Sequence, residues 1–229
     1  MAMLMTWKSA VVNIPYGGSK ILVQCDAVKL DDFETMGFLA YATDRSRSIT
    51  GPDMYFAPEM ADIIKEKFTS NYTGGRKSHM GTSGASTGYG EYIAIKEACD
   101  FIYGNKDISK RKIAIQGLGE VGYPEAEYLL ADGAKLIATD IDPAKVHKLQ
   151  QKYGLDLVQY VEPNNVYTVD ADIFSPCAMG GIITEGRIAK FKIIMGSANN
   201  QLNTTSKEGE IALAKKLADV GILFVVDWA

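Results

Sequence analysis

Two lysines near the start of the chain stand where a small anion could meet them. Lys8 ends Met5-Thr6-Trp7-Lys8, and Lys20, twelve residues on, follows Asn13-Ile14-Pro15-Tyr16-Gly17-Gly18-Ser19. Residues 9 to 14 are mostly apolar and β-prone, and are expected to form a buried strand; Lys20 then opens a second apolar run, Ile21 to Cys25. This places two ammonium groups at the ends of neighbouring strands, with glycines that let a small molecule approach the backbone. Such a pair can hold a carboxylate and supply a base. Two surface lysines flanking a hairpin would show the same pattern, and these residues alone leave both readings open.

A second constellation lies downstream. Arg111 to Gln116 reads as a short strand, Gly117-Leu118-Gly119-Glu120-Val121-Gly122 follows at once, and Tyr123 to Leu130 looks helical up to Asp132-Gly133. Lys135 to Asp140 is then a second strand ending in an acid, eighteen residues beyond Gly122. Strand, G-x-G-x-x-G, helix, strand and acid come in the order that a dinucleotide site requires. The first glycine makes the tight turn, the second lets a pyrophosphate approach the backbone, and the third allows close helix–strand packing. The helix N-terminus offers N–H groups to the phosphates. Pro124 falls in the first helical turn, where its missing N–H costs little. Asp140 can also be no more than a strand-end cap.

These residues need elements to hold them. Up to about residue 84 the pattern gives the two strands already named, a helix near 30–43 and a helix near 57–68. Leu30, Phe33, Met36 and Ala40 share one face of the first; Met60, Ile63, Ile64 and Phe68 share one face of the second. Gly51-Pro52-Asp53 is a sharp turn between them, and residues 69–86 form a polar linker. Thr87-Gly88-Tyr89-Gly90 opens a long helix to about Tyr103. Beyond it, strand candidates at 111–116, 135–140, 171–174, 192–197 and 222–226 alternate with helix candidates at 119–131, 143–153, 184–190 and 205–219. That alternation implies an α/β fold with a mainly parallel sheet covered on both faces.

Composition fits a globular enzyme. The chain has 229 residues, 47% hydrophobic and 23% charged, with a formal net charge of −4. It carries no basic run and no basic–aromatic stripe, so neither a nucleic-acid footprint nor a polybasic membrane surface is expected. Cys25, Cys99 and Cys177 lack paired spacing, which points to a reducing, cytoplasmic setting. His79, on the polar linker, and His147 are too few and too distant for a zinc cluster, and no metal is expected. No apolar stretch has the length of a membrane span, and Met1 to Met5 lacks the basic flank of a signal peptide.

Taken together the motifs resemble the glutamate/leucine/phenylalanine/valine dehydrogenase family, and its leucine and phenylalanine branch in particular. They are Met-Thr-Trp-Lys8, Pro-Tyr-Gly-Gly-Ser-Lys20, Thr-Gly-Pro-Asp53, Ser-Thr87-Gly-Tyr-Gly, Gln-Gly117-Leu-Gly119-Glu-Val-Gly122, Thr-Asp140, Ser-Pro-Cys177-Ala-Met-Gly-Gly and Gly-Ser-Ala-Asn199-Asn200-Gln-Leu. The resemblance runs along essentially the whole chain. It implies NAD(P)-dependent oxidative deamination of an L-amino acid to its 2-oxo acid and ammonia, and a homo-oligomer. It also implies a Rossmann-like doubly wound parallel sheet at 85–229, preceded by part of an α/β substrate domain at 1–84. Lys8 then matches the lysine that binds the substrate α-carboxylate, Lys20 the catalytic lysine, and Asp53 the aspartate that shuttles protons. Thr87 matches a threonine near the nicotinamide. Gly117, Gly119, Glu120, Val121 and Gly122 match the pyrophosphate loop, and Asp140 the acid on the adenosine ribose. Cys177 and Ala178 lie in the segment that lines the cofactor, and Asn199 matches the asparagine beside the nicotinamide or substrate. Ser19 stands where the family usually has glycine or alanine, and Tyr16 and Tyr55-Phe56 are bulky beside catalytic positions.

These residue types suit the chemistry. Deamination removes a hydride from Cα and leaves an iminium that water attacks, so the protein must supply position and proton transfer. A lysine whose basicity is lowered by burial and by a like charge can act as base, and Asp53 can pass protons between amine, carbinolamine and water. By itself Asp53 is equally a turn carboxylate, and Cys177 reads as a small buried residue. Asp140 with Asp142 beside it favours NAD over NADP, with Lys145 as local compensation. The resemblance further implies chains that extend past both ends of this one, so the sequence reads as a fragment that binds NAD with little amino-acid turnover. Two alternatives stay open: a nucleotide-binding module without turnover, and a family member recruited to another reaction of amino or 2-oxo acids.

Overall fold

The structure, a computed structural model, describes residues 2–26, 28–68, 70–77, 81–187 and 190–227. It divides into two compact units: Trp7–Pro15 with Gly84–Ala229, and Ala2–Thr6 with Tyr16–Ser83. Helix α1 (Ala2–Val11) contributes to both.

In the smaller unit, α2 (Phe33–Ser46) and α3 (Pro58–Phe68) pack face to face. Asp32 caps α2 by accepting from the Thr35 N–H, and Arg47 ends it in the left-handed conformation. Met36, Leu39 and Ala40 meet Met60 and Ile64 in a small core, with Val28, Phe56, Ile63 and Phe68 around it.

The larger unit is a parallel sheet between helices. Its elements in order are α4 (Ser83–Tyr103), β1 (Lys112–Gln116), α5 (Gly122–Ala131), β2 (Lys135–Thr139), α6 (Pro143–Tyr153), β3 (Val158–Tyr160), β4 (Ile173–Pro176), β5 (Ile193–Ile194), α7 (Lys207–Asp219) and β6 (Leu223–Phe224). The strands lie in the order β3-β2-β1-β4-β5-β6, all parallel, so the order reverses between β1 and β4. Ile113, Ala114 and Ile115 are fully buried because both faces are covered. On one face Ile95, Ala98 and Cys99 of α4, Ala126 and Leu129 of α5 and Leu149 of α6 pack on Ile113, Ile115 and Leu136. On the other, Leu213 and Leu217 of α7 pack with Phe174, Phe191 and Ile194. Asp142 caps α6 through the Ala144 N–H, and Ser206 caps α7 through the Gly209 N–H. This is a Rossmann-like doubly wound sheet.

The structure corrects several local expectations. Residues 9–14 are not a strand: Ser9 to Val11 finish α1, and Asn13 stops the helix in the left-handed conformation with its N–H on the Ala10 carbonyl. The preceding Ala-Met-Leu-Met-Thr-Trp-Lys is rich in helix formers, and a helix satisfies its own backbone without needing a neighbouring strand. Ile21 to Cys25 is likewise unpaired coil, with Leu22 94% exposed. Lys8 and Lys20 therefore do not sit at the ends of neighbouring strands.

The helix at 30–43 begins at Phe33, and its buried face is Met36, Leu39, Ala40 and Thr43, with Leu30 and Phe33 exposed. The sharp turn is Asp53 to Phe56, beginning two residues later than Gly51-Pro52-Asp53; the Asp53 and Phe56 backbones exchange two hydrogen bonds, and Tyr55 takes a positive φ. The long helix starts at Ser83, ahead of Thr87. The edge strand β3 escaped the sequence pattern because Val158 is its one buried residue. Of the helix expected at 184–190 only the 3₁₀ turn Glu185–Arg187 forms; Ile188 and Ala189 lie outside the described residues, as do His79 and parts of the 69–86 linker. No helix among the described residues is long and apolar enough to cross a membrane.

Candidate active site

In an open parallel sheet, ligands bind outside the carboxyl ends of the strands where the order reverses. Three expected site residues are the first residues past those ends: Gly117 after β1, Asp140 after β2 and Cys177 after β4. Gly117 has φ +93, and its N–H donates to the Thr139 carbonyl at 2.8 Å, so the chain turns sharply off β1. A side chain at Gly122 would overlap the Gly117 carbonyl and come within 3.0 Å of the Cys177 Cβ. At Gly119 the space is open, and Gly119 and Glu120 are exposed. The loop thus packs hard at its two ends and presents bare backbone at its middle. That cradle fits a pyrophosphate, with the first turn of α5 directly behind it.

Two further glycines, Gly84 and Gly88, to which the sequence pattern assigns no site role, seat the loop. A Cβ at Gly88 of α4 would stand 2.8 Å from the Val121 carbonyl and the Glu125 N, and one at Gly84 would overlap the Glu120 carbonyl. Their i, i+4 spacing was the available signal, since it puts both on one helix face.

Asp140 is 7% exposed and well held. Its Oδ2 accepts the Leu118 N–H at 2.7 Å, its Oδ1 accepts the Asp142 N–H at 2.9 Å, and the Lys145 Nζ lies 3.3 and 3.4 Å from the two oxygens. The carboxylate therefore braces the glycine loop as well as closing β2. Thr87 is half-buried on α4. Cys177 and Ala178 pack beside Gly117, where a Cβ would lie 3.1 Å from the Cys177 carbonyl and 2.8 Å from the Ala178 Cβ. Burial pushes the Cys177 thiol well above its ordinary range, with Glu125 adding to it, so Cys177 is a packed thiol.

Asn199 follows β5, and its amide donates to Asp227 at 3.3 Å. The Asn200 N–H reaches the same carboxylate at 3.2 Å. Nearby Glu91 of α4 is pushed up to about 7, chiefly by burial; Lys8 pulls it down and Asp227 pushes it up. Lys8, Glu91, Asp227 and Asn199 thus form one charged group in the larger unit.

Lys20 and Asp53 belong to the smaller unit, where they form an ion pair across 33 residues of sequence. Both are exposed, and Asp53 also accepts the Met54 N–H at 2.8 Å. The neighbouring glycines do different work from that expected of them. A side chain at Gly18 would overlap the Ala2 carbonyl and the Thr6 N, and the Gly18 N–H donates to the Thr6 hydroxyl at 2.8 Å. Gly18 therefore seats the loop on α1, and only Gly17 leaves open space. Tyr16 and Tyr55 are 63% and 91% exposed.

A glycine-turn cradle at the reversal point of a parallel sheet defines a nucleotide-binding α/β protein. Residues 79–227 match the family model described as Glutamate/Leucine/Phenylalanine/Valine dehydrogenase, and residues 1–70 match that of the Glu/Leu/Phe/Val dehydrogenase dimerisation domain. The chain belongs to the glutamate/leucine/phenylalanine/valine dehydrogenase family. It is 36% identical to a phenylalanine dehydrogenase of Lysinibacillus sphaericus, covering 98% of this chain and 59% of that protein. It is 34% identical to a leucine dehydrogenase of Thermoactinomyces intermedius, covering 98% and 60%. The crystal structure of L-tryptophan dehydrogenase from Nostoc punctiforme superposes with a TM-score of 0.68 at 32% identity, over 97% of this chain and 62% of that one. The chain thus spans about 60% of the length of these relatives.

Proposed function

We propose that the whole protein catalyses NAD-dependent oxidative deamination of an L-amino acid, with residues 1–84 contributing to substrate handling and 85–229 binding the nucleotide. The observation that carries this reading is the Lys20–Asp53 pair, a cation and a carboxylate in contact, exposed, and supplied by separate loops. Relatives named as phenylalanine, leucine and tryptophan dehydrogenases support it. With the dinucleotide's pyrophosphate on the Gly117–Gly122 loop, its nicotinamide would supply the hydride acceptor. The chain's own residues do the rest. Lys8 neutralises the substrate carboxylate. Lys20 takes the proton as the amine nitrogen becomes an iminium and water adds, and Asp53 relays protons between Lys20, water and the departing ammonia. Thr87, Cys177, Ala178 and Asn199 would line the place of the nicotinamide ring. The protein acts as a homo-oligomer in a reducing, cytoplasmic setting.

NAD is the preferred cofactor. Asp140 and Asp142 set two carboxylates beside the ribose position, and Lys145 is already engaged by Asp140. A 2′-phosphate would meet net repulsion. Titration with both cofactors should give tighter NAD binding, and Asp140→Ser should narrow the difference; equal or tighter NADP binding would refute the assignment.

The deciding experiment follows NADH absorbance across a panel of aliphatic and aromatic L-amino acids. Lys20→Ala should lower kcat by about 10²–10⁴-fold with NAD affinity retained. Lys8→Ala should mainly raise the amino-acid KM, and Asp53→Asn should keep the fold and lose turnover. Near-parental kcat in Lys20→Ala would remove Lys20 as the base. Tight NAD binding by the whole protein with no turnover on any amino acid would favour the binding-module reading.

A further inference from the structure

Glu125 sits in the first turn of α5, and none of it is exposed. The Ser175 hydroxyl donates to Oε1 at 2.6 Å, and the Cys177 thiol donates to Oε2 at 3.0 Å. Ser175 Oγ and Cys177 Sγ are themselves 3.3 Å apart, so the three groups close a ring. A buried carboxyl at such a place costs stability unless every lone pair and proton is satisfied. The mechanism above leaves Glu125 without a part in proton transfer.

The ring's position gives it one. Ser175 and Cys177 flank the end of β4, fifty and fifty-two residues from Glu125 in sequence. Gly122 packs on Cys177, Gly117 packs on Cys177 and Ala178, and Gly88 packs on the Glu125 backbone. The carboxyl therefore ties the segment after β4 to the helix turn behind the glycine loop, from directly beneath that loop.

We propose that Glu125 is a positioning residue of the dinucleotide site: it holds Cys177–Ala178 against the first turn of α5, so that the Gly117–Gly122 loop keeps the shape that receives a pyrophosphate. The inference rests on the dinucleotide reading. It has a protonation consequence. Burial pushes the Glu125 carboxyl up to about 8; Ser175 and Cys177 pull it down and Glu91 of α4 pushes it up, while no basic side chain among the described residues acts on it. With its carboxyl raised by burial, the group holds a proton at neutral pH; Oε2 then donates to the Cys177 sulfur, the thiol turns to Ser175 Oγ, and Ser175 still donates to Oε1. Once ionised, it puts a negative charge behind a loop built to face phosphates. Burial holds the Cys177 thiol well above its ordinary range, and Lys8 and Asp227 act on Glu91 beyond it.

Fluorescence titration with NADH at about pH 6.5 and about pH 9.5 tests this on the 229-residue chain. The parental Kd should rise by about tenfold between the two, the change expected when a binding-linked group differs by about one pKa unit. Glu125→Gln keeps the volume and the hydrogen bonds without a titrating proton, so its affinity should match the parent at low pH and vary by less than about twofold across the range. Glu125→Ala should bind about tenfold more weakly at both pH values, and the contrast with Glu125→Gln separates loss of the ring from loss of charge. If parent and Glu125→Gln rise in parallel, or if Glu125→Ala binds like the parent at low pH, Glu125 does not position the site. If the parent binds neither NADH nor NADPH at low pH, the dinucleotide reading itself falls and takes this proposal with it.

Discussion

Gly119 and Gly122 belong to one motif and answer to different forces. Gly122 is pressed against the Gly117 carbonyl and Cys177, whereas Gly119 faces open space. Gly122→Ala should therefore destabilise the chain by about 1–3 kcal/mol through overpacking and also weaken nucleotide binding. Gly119→Ala should leave stability within about 0.5 kcal/mol and weaken binding alone, since its methyl would stand where the phosphates approach. Chemical denaturation and nucleotide titration on the same two variants check the contrast; a stable Gly122→Ala chain with parental affinity would show that the loop yields easily. A motif pattern treats these glycines as equivalent. Only their neighbours, fifty or more residues away in the case of Cys177, tell them apart.

The elements separate in the same way by what surrounds them. The α2–α3 core is small, and Met36 at its centre is fully buried. Met36→Ala should cost about 2–5 kcal/mol, measured by urea unfolding, because few neighbours can collapse into the space. Ser206→Ala removes the cap of α7 and should cost about 1 kcal/mol. Phe38 and Tyr41 of α2, off the face counted from Leu30 and Phe33, are 63% and 67% exposed; that count did not foresee that Leu30 and Phe33 are exposed as well. Propensity also outweighed apolar pattern in α1. Ser9, Ala10 and Val11 continue a helix begun at Ala2, and Asn13 stops it, although residues 9–14 are apolar and β-prone enough to pass for a strand. In contrast β1 and β2 were plain in the sequence, because buried apolar residues run consecutively in each, Ile113 to Ile115 and Leu136 to Ala138, beside the glycine turns at Gly117 and Gly133.

At the scale of the whole molecule, two raised carboxyls give the fold a pH dependence of defined sign. Glu125 is pushed up to about 8 and Glu91 to about 7, against an ordinary value of 4.5. Between these limits the folded chain holds protons that the unfolded chain has released, so stability is greatest below the ordinary value and falls as pH rises through the window. Above the folded values both states are ionised and the curve flattens. The slope is at most about 1.4 kcal/mol per pH unit for each group, with half-buried Glu91 contributing less. Thermal melts across about pH 5 to 9 should show Tm falling toward the alkaline end, and Glu125→Gln should remove most of the fall between about pH 7 and 8. A Glu125→Gln profile that follows the parent throughout would mean that Glu125 is ionised in the folded chain at neutral pH.

The sequence by itself determined the alternation of strands and helices, the glycine turn after β1 and the acid after β2. Each is written in a short contiguous stretch, where periodicity and turn chemistry act locally. Tertiary structure decided what lies beside what. The sheet order sets β4 next to β1, which brings Ser175 and Cys177 under α5 and onto Glu125. Glu125, an acid in the first turn of α5, becomes a buried tie only once the sheet is assembled. β3 exists because the β2 edge is there to pair with it, with Leu136 against Val158. Lys20 meets Asp53 because an unpaired loop and a tight turn converge, a contact that no spacing of residues along the chain encodes.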